Sequence, residues 1–189
     1  MDRTVPTVIT ALVLAGLLVL MWRSWRARTR RDAHLAAGHP LPAGEAPSIA
    51  SAPVFYVATT PRAKPLERLA IQGLGFRARA VLTVTEAGVV LAIPGEEAVF
   101  IPAAAIDLIA PATWTIDRVV ETGGLLALGW RLHEADSTAA GTAAETDGGL
   151  PVDTYFRIVD PAAAGRIGDA IRSIAAGAVG TAARDESEA

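Results

Sequence analysis

The stretch RAVLTVTEAGVVLAIP, residues 79–94, decides the fold class of this chain. Two runs rich in Val, Leu and Thr, residues 79–85 and 89–94, flank a short turn that contains a glycine, residues 86–88. Such runs joined by a short glycine-containing turn are typical of an antiparallel β-hairpin. We therefore predict β structure as the framework of the folded region.

Further strand patterns lie on both sides of this hairpin. Leu126, Leu128, Trp130 and Leu132 alternate with small or polar residues, so one face of that segment is expected to lie in the core. Residues 62–77 are less regular and are compatible with a short helical turn. The other predicted strands are FYVATT (55–60), AVFIP (98–102), AIDLIA (105–110), LLALGWRL (125–132) and VDTYFRIV (152–159), about seven in all.

The last part of the chain changes from a period of two to a helical period. Asp160 and Pro161 form an N-cap and first-turn pair. Behind them the apolar positions are Ala163, Ile167, Ala170, Ile171, Ile174 and Ala178. We predict an amphipathic helix that ends near Gly177 or Gly180 and covers the open end of a curled sheet.

The N-terminal segment has the length and composition of a transmembrane helix. Nineteen uncharged residues, 4–22, form a helix of about 28 Å, close to the roughly 30 Å of a hydrocarbon core. A cleaved signal peptide is the competing interpretation, but its basic residues should precede the apolar stretch. Here they follow it, which predicts a single pass through the plasma membrane, with the N-terminus outside and the rest in the cytoplasm.

Aromatic and basic residues mark the end of this segment. We expect them to lie at the membrane interface, as a stop-transfer signal, as a contact for anionic lipids, or as both. They are Trp22, Arg23, Trp25, Arg26, Arg28, Arg30 and Arg31.

Composition divides the chain further. Residues 32–52 are rich in Pro and Ala and are predicted to be a flexible linker in which His34 and His39 are solvated. The folded domain is expected over residues 53–180, with a mobile loop at 134–151 and a disordered acidic tail at 181–189.

Several kinds of chemistry are not supported by the sequence. The chain has no cysteine, and we expect no metal site, no cofactor and no enzyme activity. Gly73, Gly75 and Ala78 fit G-x-G-x-x-A, but a β-rich run follows where a dinucleotide site needs a helix. Residues 32–189 contain 11 basic and 19 acidic side chains, which argues against nucleic-acid binding.

Four segments carry a resemblance to a known family. They are LGFRARAVLTVTEAGV (74–89), IPGEEAVFIPAAAI (93–106), GGLLALGWRL (123–132) and DTYFRI (153–158). The chain resembles small actinobacterial membrane proteins that have one N-terminal helix and a bacterial pleckstrin-homology-like (PH-like) domain. The resemblance implies a bent antiparallel sheet capped by a C-terminal helix, in a non-catalytic module of a membrane or transporter-like protein.

The resemblance also suggests one candidate surface. Eukaryotic PH domains bind inositol phosphates with basic residues around the first hairpin, which makes Arg77 and Arg79 a tentative ligand or partner surface. The alternative is a solvated strand face.

Two functions follow as expectations. The first is an interaction or scaffold module, anchored at the inner face of the plasma membrane, that binds a protein partner. The second is a lipid- or small-ligand-binding accessory protein of a transport or export system, with its pocket inside the curled sheet. Bulky inward residues such as Trp130 and Phe156 favour the first.

Overall fold

The computed structural model describes residues 4–42, 44, 46–115, 118–119, 124–133 and 149–185. One seven-stranded antiparallel sheet dominates it, with the strand order β4-β3-β2-β1-β9-β8-β5. Its strands are β1 (Ser48–Pro61), β2 (Ala78–Thr85), β3 (Gly88–Ala92), β4 (Val99–Pro102), β5 (Ile106–Ala112), β8 (Leu125–Leu132) and β9 (Leu150–Arg157). The predicted mainly β fold is confirmed, with an apolar helix before the sheet and a second helix after it.

Two short elements were not predicted. A 3-10 turn, η1 (Ala103–Ala105), joins β4 to β5. The two-residue strands β6 (Trp114–Thr115) and β7 (Arg118–Val119) form a separate hairpin between β5 and β8. Residues 62–77 form turns and contain no helix. Most of the predicted loop at 134–151 lies outside the described residues, and β9 begins at Leu150 within it.

The N-terminal helix, α1 (Thr4–Arg31), has no buried residue. Among the described residues it is the one helix long and apolar enough to cross a membrane by length and composition. A signal sequence near an N-terminus passes the same test, so the helix by itself indicates possible membrane attachment.

Strand β1 begins at Ser48, inside residues 32–52, which the sequence analysis predicted to be a linker. Ser48 pairs with Thr85, and the first half of β1 pairs with β2 alone, because pairing with β9 starts only at Phe55. Pro53 is tolerated there because a proline, which has no N–H to donate, fits where a strand is paired on one side only.

The segment before β1 is also packed on the domain. Asp32 and Leu35 are buried, and the N–H of His39 donates to the carbonyl of Phe100 at 2.8 Å. This contact covers the outer edge of β4, so residues 32–39 belong to the folded body and are not free chain.

The core lies between the curled sheet and the second helix, α2 (Pro161–Asp185). Ile167, Ile171 and Ile174 of α2 are buried, and the helix packs against β1, β2, β3, β5 and η1. The predicted inward face of β8 is confirmed, since Leu128, Trp130 and Leu132 are fully buried and Leu126 is half-buried against them. A second cluster, Val57, Leu125, Ala127 and Tyr155, is also buried.

Helix α2 begins where the sequence analysis predicted, but it ends later. Asp160 caps the first turn, because its Oδ1 accepts the N–H of Ala162 at 3.0 Å. The helix then continues through Gly177 and Gly180 to Asp185, so it does not end at either predicted glycine. Residues 186–189 of the predicted disordered tail lie outside the described residues. A glycine inside a helix costs about 1 kcal/mol without ending it, unless it adopts a left-handed conformation.

Four buried polar side chains in the core, Tyr56, Thr59, Trp130 and Thr154, form one hydrogen-bond network. The Tyr56 hydroxyl donates to the Leu74 carbonyl at 2.6 Å, and the Trp130 indole N–H donates to Thr154 Oγ1 at 2.9 Å. Thr59 connects the two, with its Oγ1 3.0 Å from both hydroxyl groups. Burial raises the pKa of Tyr56 to about 12, so it stays a neutral donor. This network fixes the β1–β2 loop to the sheet.

An arginine ties three strands together on the other side of the sheet. The Arg62 guanidinium donates to both carboxylate oxygens of Asp107, at 2.6 and 3.0 Å, and to Asp153 Oδ1 at 3.0 Å. These hydrogen bonds raise the pKa of Arg62, and the bonds to Asp107 contribute most. Gly129 makes room for this contact, since a Cβ there would meet the Arg62 guanidinium, Leu108 and Asp107.

Candidate functional site

The aromatic and basic residues predicted for the membrane interface lie on the last turns of α1. Trp22 and Trp25 are each more than half exposed, and the Arg26 guanidinium lies 5.6 Å from the centre of the Trp22 ring, within cation–π distance. Arg23, Arg28 and Arg30 are exposed as well. The C-terminal end of α1 therefore presents a continuous aromatic and cationic surface, none of which is buried in the core.

Arg31 differs from the other arginines because it contacts the domain. Its Nε lies 2.7 Å from Asp32 Oδ1, and its Nη1 pairs with Glu67 in the loop between β1 and β2. The hydrogen bond to Asp32 is the main cause that raises the pKa of Arg31.

Asp32 completes the connection between α1 and the sheet. Its side chain is only 3% exposed, and Oδ2 accepts the backbone N–H of Ala70 at 2.8 Å. Burial alone raises the pKa of Asp32, but the hydrogen bonds from Arg31 and Ala70 and the Arg31 charge outweigh it and leave the pKa below its ordinary value. The carboxylate is thus charged, buried and paired, and it holds the end of α1 against the β1–β2 loop.

A cleft of about 910 Å³ opens where α1 meets this loop. Its lining includes Trp25 and Arg28 from α1, Phe76 and Arg77 from the loop, and Ile93 and Glu96 from the segment between β3 and β4. Phe76 is 75% exposed, although the neighbouring Leu74 is buried. The sequence analysis did not identify Phe76 as a candidate, although its ring is exposed on a loop that is hydrogen-bonded to the sheet.

Arg77 and Arg79, the two arginines proposed as a ligand surface, are both exposed. Arg77 precedes β2 and lines the cleft. Arg79 lies within β2, paired with Phe55, and its guanidinium is 5.6 Å from the centre of the Phe55 ring. The two side chains thus belong to different surroundings, because only Arg79 has joined the strand.

Two of the three histidines meet across the domain. His34 is exposed, whereas His39 and His133 are half-buried with ring centres 4.4 Å apart. Burial is the main cause that lowers the pKa of His39, whose Nε2 is 3.3 Å from the Arg131 carbonyl. This corrects the solvated position predicted for His39, since residues 35–39 pack on the sheet. Within the described ranges, no group of three or more His, Cys, Asp or Glu side chains has the arrangement of a metal site.

Comparison with known families agrees with this architecture. A model of the family described as Bacterial PH domain-like matches residues 35–172. The chain belongs to this family. The match begins at Leu35, in the buried segment before β1, and ends at Arg172 within α2, so it covers the whole sheet and the first half of the closing helix.

Membership of this family suggests an interaction module. PH-like domains are generally non-catalytic interaction modules that bind lipids or proteins. The match does not include α1. No match to the sequence of a curated protein was found.

Proposed function

We propose that this protein is a membrane-anchored, non-catalytic interaction module whose PH-like domain lies in the cytoplasm at the inner face of the plasma membrane. The observation that carries the proposal is the exposure of the apolar side chains of α1. Leu12 and Leu18 are 67% and 61% exposed, although the PH-like domain already has a filled core. A lipid bilayer removes this surface from water.

The orientation rests on charge. The last turns of α1 carry the arginines, and cytoplasmic flanks of transmembrane helices are enriched in Lys and Arg. A single cysteine at Ser51, an exposed position of β1 in a chain without cysteine, tests this. We expect it to resist a membrane-impermeant thiol reagent in intact cells and to react after lysis. Reaction in intact cells would place the domain outside.

The outer edge of β5 is the surface best suited to a protein partner. Of the two strands that end the sheet, β4 is covered by the His39 contact, whereas β5 pairs with β8 alone among the strands that the structure describes. Leu108 is 42% exposed on this edge strand. A partner segment that adds as a strand pairs with residues 106–110, because Pro111 has no N–H to donate.

Site-specific crosslinking tests this surface. A photoreactive residue in place of Leu108, in the full chain in native membranes, should yield a discrete crosslinked protein. The control is the same residue in place of Arg172, which is exposed on α2 outside this edge. Equal yields at both positions, or none at either, would contradict binding at β5.

The alternative, a lipid- or small-ligand-binding accessory protein of a transport system, is less well supported. It requires a pocket inside the curled sheet, and that space holds Tyr56, Trp130 and Phe156, each fully buried. The cleft of about 910 Å³ is lined by residues of α1, of the β1–β2 loop and of the segment between β3 and β4, and not by Tyr56, Trp130 or Phe156.

A further inference from the structure

The position of Phe76 relative to α1 is set by the fold. Asp32 is buried and bonded to Arg31 and to the N–H of Ala70, so the helix is coupled to the β1–β2 loop at its last residue. The depth of the loop therefore follows from the depth of the helix.

That depth corresponds to the headgroup layer. If Trp22 marks the edge of the hydrocarbon core, the rise of 1.5 Å per residue puts Trp25 about 4.5 Å and Arg28 about 9 Å beyond it. The polar layer of a bilayer is about 5–8 Å thick on each side. Trp25 therefore lies within this layer and Arg28 just outside it. Trp25 lines the same cleft as Phe76 and Arg77, so the inner end of the cleft reaches the headgroup layer.

The loop is built to present its aromatic residue. Leu69, Ile71 and Leu74 point into the core, and the Leu74 carbonyl accepts the Tyr56 hydroxyl. Arg68 donates to the Val57 carbonyl at 2.8 Å, which fixes the loop a second time. Phe76 nevertheless remains 75% exposed. Aromatic rings are favoured at membrane interfaces, where this exposure is relieved.

Charge near the cleft favours anionic lipids. Arg28 and Arg77 line the cleft with Arg68, against the single carboxylate of Glu96, and Arg23 and Arg26 extend the positive surface along α1. Basic residues near an anionic leaflet are attracted to its negative surface potential.

We propose that residues 72–77 insert Phe76 into the anionic headgroup layer of the bilayer that α1 crosses, so that the PH-like domain lies on the membrane in one fixed orientation. The inference rests on the proposed anchor and adds a second contact to it. This contact is a surface insertion beside the chain's own helix. It orients the β5 edge at a fixed distance from the lipid.

Spin labels on the full chain in vesicles test the contact. Gln72 is exposed in the same loop as Phe76. Glu86 is exposed in the turn at the opposite end of β2, about 26 Å from Ala78 if the strand rises about 3.3 Å per residue. A nitroxide on Gln72→Cys, with Phe76 retained, should lose access to a water-soluble nickel reagent in vesicles of phosphatidylcholine and phosphatidylglycerol. The same label on Glu86→Cys should keep it.

A second substitution shows whether Phe76 is responsible. Phe76→Ser should restore access of the nickel reagent to the label at position 72. Ile49→Ser is the control and should not restore it. Ile49 is a half-exposed apolar residue near Thr85, at the opposite end of β1 and β2. Omitting phosphatidylglycerol should weaken the protection.

The outcomes separate the inference from the anchor. If the protein stays in the vesicles after an alkaline wash but the labels at 72 and 86 are equally accessible to water, the inference is overturned and the anchor stands. If the alkaline wash releases the protein, the anchor fails. Protection that ignores Phe76→Ser or the anionic lipid would also overturn the proposed contact.

Discussion

Helix α2 offers a direct test of how the sheet is closed. Ile171 is fully buried, whereas its neighbour Arg172 is exposed and paired with Asp169 at 2.7 Å within the same helix. The substitution Ile171→Ala removes three carbon groups from the core. At about 0.8 kcal/mol per buried methylene, the lost transfer free energy is about 2.4 kcal/mol, and the cavity that remains adds to it.

We therefore expect Ile171→Ala to lower the free energy of unfolding by about 3 to 4 kcal/mol, within the usual range of about 2 to 5 for such core truncations. Arg172→Ala is the matched control and should cost no more than about 0.5 kcal/mol, as for other surface changes. Urea unfolding of the full chain in a mild detergent, followed by near-ultraviolet circular dichroism, measures both. Equal midpoints for the two variants would refute the docking of α2 through its isoleucine face.

Three further predictions concern other parts of the fold. A fragment that begins at Asp32 should melt at a higher temperature than one that begins at Ala52. The shorter fragment lacks the first four residues of β1 and the buried segment before that strand. Equal melting temperatures would contradict this packing. Gly129→Ala should cost about 1 to 3 kcal/mol in urea unfolding through overpacking, whereas the control Gly165→Ala, which meets open space on α2, should not destabilise the protein. Because burial lowers the pKa of His39, the unfolded chain binds the proton more readily, and stability should fall from about pH 7 to 5. His39→Gln should flatten this dependence, and an unchanged slope would refute the assignment.

Local patterns were sufficient to predict the sheet. The alternation at Leu128, Trp130 and Leu132 identified the inward face of β8, and the Asp160–Pro161 pair located the start of α2. These signals depend on neighbours two to four residues apart, which a sequence shows directly.

The contacts that build the candidate site depend on distant residues. Asp32 is bonded to Ala70, and His39 meets His133, so neither contact leaves a local pattern. Leu35 could have signalled the buried segment, but Leu41 in the same stretch is about half exposed, so a leucine there does not identify a core position. Pro53 misled the prediction of β1, because proline normally marks a boundary, and the one-sided pairing that tolerates it is a property of the whole sheet.

Strand β1 also has a consequence for the order in which the protein is made. It pairs first with β2, its next strand along the chain, but its second half waits for β9, where Phe55 meets Arg157. A ribosome therefore releases β1 to β4 as a local meander long before the strand that closes the sheet exists. Closing so long a loop is slow, and an unpaired strand edge is open to wrong pairing meanwhile. A membrane helix emerging first would hold each nascent chain apart from its neighbours during that interval.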